Sequence, residues 1–246
     1  MYHRQFLLRN CYEWQNILME TLVTKKVSIV LHPIMTEFDI SIRIRERAHD
    51  LFMQYGLRSV SMDDIANALG MSKKTIYQYY ADKDELVEAV IDQELENTRR
   101  ICETDRDTSA NAVQEIFMAM EMVVEIFGPM NPSLLFDMEK YHPKAFSKFQ
   151  KHKNDYLYNI IRENIKRGIR EELYRPEIRV DVLSRYRLET MMLPFHPEFQ
   201  NKLKSNMADL EEEFILHFLY GLATPKGYKL IQKYQLERKK VNDGKK

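Results

Sequence analysis

Apolar residues recur along most of this chain at the three- and four-residue spacing of an amphipathic helix, and no window alternates with the two-residue period of a strand. Breaks in the spacing coincide with glycines and prolines. The pattern predicts helices over residues 38–55, 82–102, 110–128, 133–140, 144–167, 177–193, 203–221 and 228–234, and two short helices within residues 61–80. The sequence therefore predicts an all-α protein.

The two short helices carry unusually clear start and stop signals. Ser61 is a favourable N-cap, and Asp64 stands three residues later, where a capping box needs it. Gly70 follows the first helix directly and can take the left-handed conformation that ends a helix. Ser72 then caps the second helix. Residues 61–83 are thus expected to form two helices joined by a tight turn.

The second of these helices has a polar and aromatic outer face. Ile76 and Tyr80 are expected to point inward. The outer positions hold cations suited to phosphates, and a hydroxyl, an amide and aromatic rings suited to base edges: Lys73, Lys74, Thr75, Tyr77, Gln78 and Tyr79. An ordinary helical hairpin with a glycine turn is the alternative, but the combined signals favour a helix that enters a DNA groove.

The charge of this region is not what a DNA-binding domain usually has. Residues 37–84 contain seven Lys and Arg against eight Asp and Glu, a net charge of −1. If the region binds DNA, its charges should be separated by face. We therefore expect Lys73, Lys74 and Lys83 to lie together, with the carboxylates elsewhere.

Residues 42–90 resemble the N-terminal domain of TetR-family transcription regulators. The matching segments are Ala-His-Asp-Leu-Phe-Met-Gln-Tyr-Gly, Ser-Met-Asp-Asp-Ile-Ala, Leu-Gly-Met-Ser-Lys-Lys-Thr-Ile-Tyr and Tyr-Tyr-Ala-Asp-Lys-Asp-Glu-Leu. The resemblance implies an N-terminal three-helix helix-turn-helix DNA-binding domain and a larger helical effector-binding and dimerisation domain. It also implies a homodimeric repressor, released from a pseudo-palindromic double-stranded DNA operator by a small-molecule effector.

The residues that would contact DNA follow from the motif and its helix positions. They are Ser61, Ser72, Lys73, Lys74, Thr75, Tyr77, Gln78, Tyr79 and Lys83. The family often has His and Phe at the positions of Tyr79 and Tyr80, and Lys at the position of Ala81. These departures keep open a second hypothesis, a helical sensor or interaction protein that no longer binds DNA.

Composition shifts and breaks predict four segments. Residues 1–36 are expected to be a poorly structured extension, either a gene-start error or a DNA-contacting arm. Residues 37–104 would form the DNA-binding domain, residues 105–235 the ligand-binding and dimerisation domain, and residues 236–246 a solvated basic tail.

Methionines and aromatic residues of the second domain are candidates for an effector pocket, because methionine adapts to varied apolar ligands. The candidates are Met118, Met122, Phe127, Phe136, Tyr141, Tyr156 and Tyr186. The pattern favours an apolar or amphipathic effector. Each residue taken singly also fits an ordinary core position.

Other chemistry receives little support from the sequence. The chain has 246 residues, zero net charge and two cysteines, which fits a cytoplasmic protein without a disulfide framework. We find no glycine-rich phosphate loop, nucleophile elbow or paired-histidine zinc motif. Glu139 and His142 have metal-ligand spacing, but a second such pair is missing. No stretch reaches the ~20 apolar residues that cross a bilayer. We therefore expect neither an enzyme, a cofactor, a metal site nor a membrane partner.

Overall fold

A computed structural model describes residues 28–203 and 205–243 of this chain. The regular elements of this part are helices, and one isolated bridge joins Tyr174 to Ala223. The helices are α1 (Ser28–Tyr55), α2 (Met62–Leu69), α3 (Lys73–Tyr77), α4 (Lys83–Thr108), α5 (Ala112–Phe127), α6 (Leu134–Tyr141), α7 (Pro143–Lys151), α8 (Tyr158–Arg170), α9 (Val180–Thr190), α10 (Pro197–Leu203), α11 (Met207–Leu222) and α12 (Pro225–Asp243). The predicted all-α class is confirmed.

The chain divides into two compact units, residues 1–46 and 47–246. In the first unit the structure describes the helical residues from Ser28 onward, so α1 starts well before the predicted residue 38. Residues 28–36 are therefore helical rather than poorly structured. The helix passes through Pro33, which removes only one backbone hydrogen bond near its start. The rest of the predicted extension, with Cys11, lies outside the described residues.

The second unit contains the helical hairpin α2–α3 and the helices that follow it. Large apolar side chains from α1 to α4 are fully buried, among them Phe52, Ile65, Ile76 and Leu86. Burial of each such side chain stabilises the fold by about 1.5–3 kcal/mol. The short helices α2 and α3 are too brief to be stable alone, so this shared core holds them in place.

A second core lies among α5, α8, α11 and α12. Its buried members include Phe117, Ile165, Tyr174, Leu219 and Ile231. Tyr174 is completely enclosed, and its hydroxyl lies 3.3 Å from both the Ala112 carbonyl and the Asn164 side-chain oxygen. That network satisfies a polar group which would be costly to bury alone.

Several helix bounds differ from the sequence prediction. Helix α4 continues past residue 102 to Thr108, because the polar residues at its end still form helical bonds, and Ser109 N–H donates to Asp105. The segment predicted as one helix over 144–167 is α7 and α8 joined by a π-helical stretch, His152–Leu157. A further short helix, α10, follows Pro197.

The C-terminal segment also differs. The sequence predicts a helix over 228–234 and a solvated tail over 236–246, whereas α12 runs from Pro225 to Asp243. Arg238 pairs with Glu212 of α11 at 2.6 Å. This contact between distant parts of the chain extends the helix, whose Lys and Arg residues favour helix locally.

Candidate DNA-binding surface and effector cavity

The hairpin of α2 and α3 forms as its sequence signals predict. Ser61 Oγ accepts from Asp64 N–H at 3.2 Å, and the Asp64 carboxylate accepts from Ser61 N–H at 2.8 Å, which completes a capping box. Gly70 ends α2 with φ of 64°. Ser72 Oγ accepts from Thr75 N–H at 3.1 Å and so caps α3. These bonds set the angle at which α3 leaves the turn.

Helix α3 presents one face to the core and another to solvent. Ile76 is fully buried and Tyr80 is nearly so, as predicted. Lys73, Lys74, Tyr77 and Gln78 are exposed, and Thr75 and Tyr79 are half-buried. The helix itself is short, ending at Tyr77, with Gln78 as its C-cap. Gln78 and Tyr79 therefore lie on the turn after α3 rather than on the helix.

The cations of the hairpin are not separated from its carboxylates as predicted. Lys73 Nζ lies 2.9 Å from an oxygen of Asp63, and both side chains are about half exposed. Lys83 is half-buried and donates to the Leu57 carbonyl, and its burial lowers the pKa of its ammonium group. The expectation that Lys73, Lys74 and Lys83 lie together is wrong, because two of the three amines have partners within the protein.

The turn after α1 is bonded to the segment that starts α6. Asn131 N–H donates to the Met53 carbonyl at 2.6 Å, and Arg58 N–H donates to the Asp137 carboxylate at 3.0 Å. The buried His142, at the end of α6, lies 2.5 Å from the Asp84 carboxylate of α4. These bonds connect the base of the hairpin to α6 and were not foreseen from the sequence.

Helix α4 leads from the hairpin into the remainder of the second unit. Lys148 of α7 lies 2.8 Å from Asp92 and 3.1 Å from Glu88 of α4. At its far end α4 contributes Cys102 and Asp105, both buried, to the wall of a cavity. One continuous helix therefore joins the candidate DNA-binding surface to this cavity.

The cavity has a volume of about 110 Å³ and lies among α4, α5, α8, α9 and α11. Most of its wall is apolar and includes Ile116, Met122, Val123, Ile161, Met191 and Phe218. Four buried polar residues interrupt that wall: Asp105, Glu115, Asn164 and Arg187. A mostly apolar cavity with a few convergent polar groups is typical of a small-molecule site.

Ion pairs set the charges around the cavity. Glu115 pairs with Arg167 at 2.9 Å, and burial raises the pKa of the Glu115 carboxyl. Arg187 pairs with Glu211 of α11, whose carboxyl has a pKa raised by burial. A surface groove of about 590 Å³ adjoins the cavity and shares Glu115, Ile160 and Asn164 with it.

The structure brings few of the predicted pocket residues together. Met122 lines the cavity and Tyr156 lines the adjoining groove. Phe136, Tyr141 and Tyr186 are exposed. Met118 and Phe127 are half-buried, and the Phe127 ring packs edge-on against Phe195. Arg187 and Asn164 were missed, because periodicity alone does not distinguish a buried polar residue from a solvated one.

The remaining chemistry of the described residues is limited. Within 28–203 and 205–243, no group of three or more His, Cys, Asp or Glu could hold a metal ion. Burial raises the pKa of the Cys102 thiol to about 12. Among these same residues, no helix is both long and apolar enough to cross a membrane.

Comparison with known proteins gives matches to one kind of protein. The family described as "Bacterial regulatory proteins, tetR family" matches residues 44–90. The uncharacterized HTH-type transcriptional regulator YvaF of Bacillus subtilis is 36% identical over 106 residues, which cover 42% of this chain and 55% of YvaF. An HTH-type transcriptional regulator of Staphylococcus aureus is 41% identical over 54 residues, covering 22% of this chain and 29% of that protein. The chain thus spans about half the length of YvaF, and less of the other relative.

Solved structures share the fold over a larger part of the chain. A transcriptional regulator of the TetR family from Agrobacterium tumefaciens superposes with a TM-score of 0.63 at 14% identity, covering 75% of this chain and 97% of that one. A TetR-family regulator from Cytophaga hutchinsonii gives a TM-score of 0.59 at 15% identity, covering 76% and 96%. At such low identity these superpositions establish a shared fold.

Proposed function

Because this chain belongs to the TetR family of bacterial regulatory proteins, we propose that it is a cytoplasmic, homodimeric transcriptional repressor that a small-molecule effector releases from a pseudo-palindromic operator. The observation that carries the proposal is the capped hairpin of α2 and α3. Its second helix buries Ile76 and exposes Lys73, Lys74, Tyr77 and Gln78.

Each side chain of that surface has a proposed role. Lys73 and Lys74 contact phosphates, and Thr75, Tyr77, Gln78 and Tyr79 contact base edges or sugars. The Lys73–Asp63 pair is exposed, and such pairs contribute little stability, so a phosphate can replace Asp63 as the partner of Lys73.

Three of the residues named from the sequence have supporting roles in this proposal. Ser61 and Ser72 cap α2 and α3. Lys83 bonds the Leu57 carbonyl at the base of the hairpin. These residues orient α3, and any contact that they make with the DNA backbone comes in addition.

The proposal assigns residues 37–104 to DNA binding and residues 105–235 to effector binding and dimerisation. A dimer that reads two half-sites needs its two α3 helices about 34–36 Å apart. An effector that prefers a conformation with another spacing shifts the population away from the DNA-bound state, by no more than its difference in affinity for the two states.

Selection of bound DNA from a random pool tests the proposal. A symmetric consensus with two half-sites is the expected result. An enriched but asymmetric site would contradict the symmetric dimer, and no enrichment would contradict DNA binding itself.

A second candidate is a helical sensor that does not bind DNA. The observations that favour it are the net charge of −1 over residues 37–84 and the pairing of Lys73 with Asp63. Failure to enrich any DNA, by a protein that still binds a small ligand, would support this candidate.

A further inference from the structure

The cavity among α4, α5, α8, α9 and α11 has one polar group that the protein leaves without a partner. Arg187 lines the cavity and is only 8% exposed. Its Nη2 donates to Glu211, but among the described residues its Nη1 has no hydrogen-bond partner and no solvent contact. A buried donor on a charged group costs free energy when it has no acceptor.

The remaining wall indicates what kind of acceptor fits. Met122, Val123, Met191 and Phe218 make most of the surface apolar, so the ligand must be largely hydrocarbon. Asp105 and Glu115 are buried in the same wall, and their carboxylates would repel an anion.

A cation is disfavoured for the opposite reason. The Arg187 guanidinium lies at the same wall, and an apolar cavity gives a charged ligand little compensation for its lost hydration. A neutral molecule with a hydrogen-bond acceptor avoids both penalties.

We propose that the effector of this protein is a small, neutral, mainly hydrocarbon molecule with a carbonyl group, whose oxygen accepts a hydrogen bond from Nη1 of Arg187. This inference rests on the proposed function and names the chemical class that its effector site takes. A cavity of about 110 Å³ suits a ligand about the size of a six-membered ring.

Access to the cavity is provided by the adjoining groove. Glu115, Ile160 and Asn164 belong to the walls of both. A ligand that enters from the groove passes the Glu115–Arg167 pair and reaches the apolar interior without crossing the hairpin.

Probe binding to the protein without DNA tests this proposal, so its outcome does not depend on whether the chain binds an operator. The probes are cyclohexanone, methylcyclohexane, cyclohexanecarboxylate and cyclohexylammonium, which have similar size and differ in polarity. With ¹³C-methyl-methionine labelling, titration shifts of the Met122 and Met191 methyl signals report binding at the cavity.

We expect cyclohexanone to bind most tightly, by tenfold or more over methylcyclohexane. The double variant Arg187→Met/Glu211→Met replaces the buried pair by apolar side chains, a change that proteins often tolerate. In it the preference should reverse, with methylcyclohexane the tighter ligand. Ala119→Leu, which fills space at the cavity wall, should abolish binding of both.

A second variant covers the case in which the double variant does not fold. Arg187→Lys keeps a positive charge beside Glu211 but loses the planar second donor, and it should reduce the preference for cyclohexanone at least severalfold. Tighter binding of either charged probe, an unchanged preference in the Arg187 variants, or unshifted Met122 and Met191 signals would each overturn the proposal.

Discussion

The backbone N–H of Asn131 donates to the carbonyl of Met53 at 2.6 Å, so the loop before α6 is bonded to the last turn of α1. Arg58 N–H, on the other side of the turn, donates to Asp137 of α6 at 3.0 Å. Gly56 lies between these two bonds with φ of 84°. The turn that leads into the hairpin is therefore fixed by α6 as well as by its own sequence.

Substitution of Gly56 tests how closely that loop packs. A Cβ at this position would lie 2.9 Å from Ser133 Oγ and 3.2 Å from the Asp137 carboxylate, and the positive φ adds strain. We expect Gly56→Ala to lower the free energy of unfolding by roughly 2–3 kcal/mol, measured by urea denaturation.

Gly70→Ala is the matched control for this prediction. Gly70 also has a positive φ of 64°, but a Cβ there would meet no atom within 4 Å. Its cost should be the backbone strain alone, about 1–2 kcal/mol. Equal losses in the two variants would show that contact with the loop adds nothing.

The salt dependence of DNA binding tests the role of Lys73. We expect Lys73→Ala to weaken binding to all DNA sequences and to reduce the slope of log K against log salt by roughly one. Asp63→Ala should strengthen binding, because it removes a carboxylate 2.9 Å from the Lys73 amine and leaves that amine to the phosphate.

A lysine far along the chain provides the control for those variants. Lys229→Ala removes an exposed cation from α12 and should leave the slope unchanged. If Asp63→Ala weakens binding, or if Lys73→Ala behaves like Lys229→Ala, Lys73 does not contact phosphate.

Local signals explain why the hairpin could be predicted and its ion pairs could not. The bonds of Ser61 and Ser72 each span three residues, so the sequence alone contains them. The Lys73–Asp63 pair depends on how α2 and α3 cross. Arg187 and Glu211 meet only after α9 packs near α11, which no local pattern encodes.

Base preference tests the assignment of Gln78. It is exposed at the C-terminal end of α3, where its amide could bond to a base edge. We expect Gln78→Ala to change the preference at one position of each half-site by ~1–3 kcal/mol in a binding selection, while the other positions keep theirs.

Asn67 supplies an amide of similar chemistry away from α3. It is exposed on α2, and Asn67→Ala should preserve the selected consensus. An unchanged consensus for Gln78→Ala would remove Gln78 from the base-contacting residues without affecting the phosphate contacts.

The reactivity of Cys102 tests whether the cavity end of α4 is closed to reagents in the native protein. Burial raises the pKa of this thiol to about 12, so at pH 8 roughly one molecule in ten thousand carries the thiolate. In a Cys11→Ser background, alkylation of the native protein at pH 8 should be slower than in urea by a factor of about a thousand or more. Mass spectrometry follows both reactions. Comparable rates in the two states would mean that the thiol is exposed and ionised, and that α4 does not hold it inside the fold.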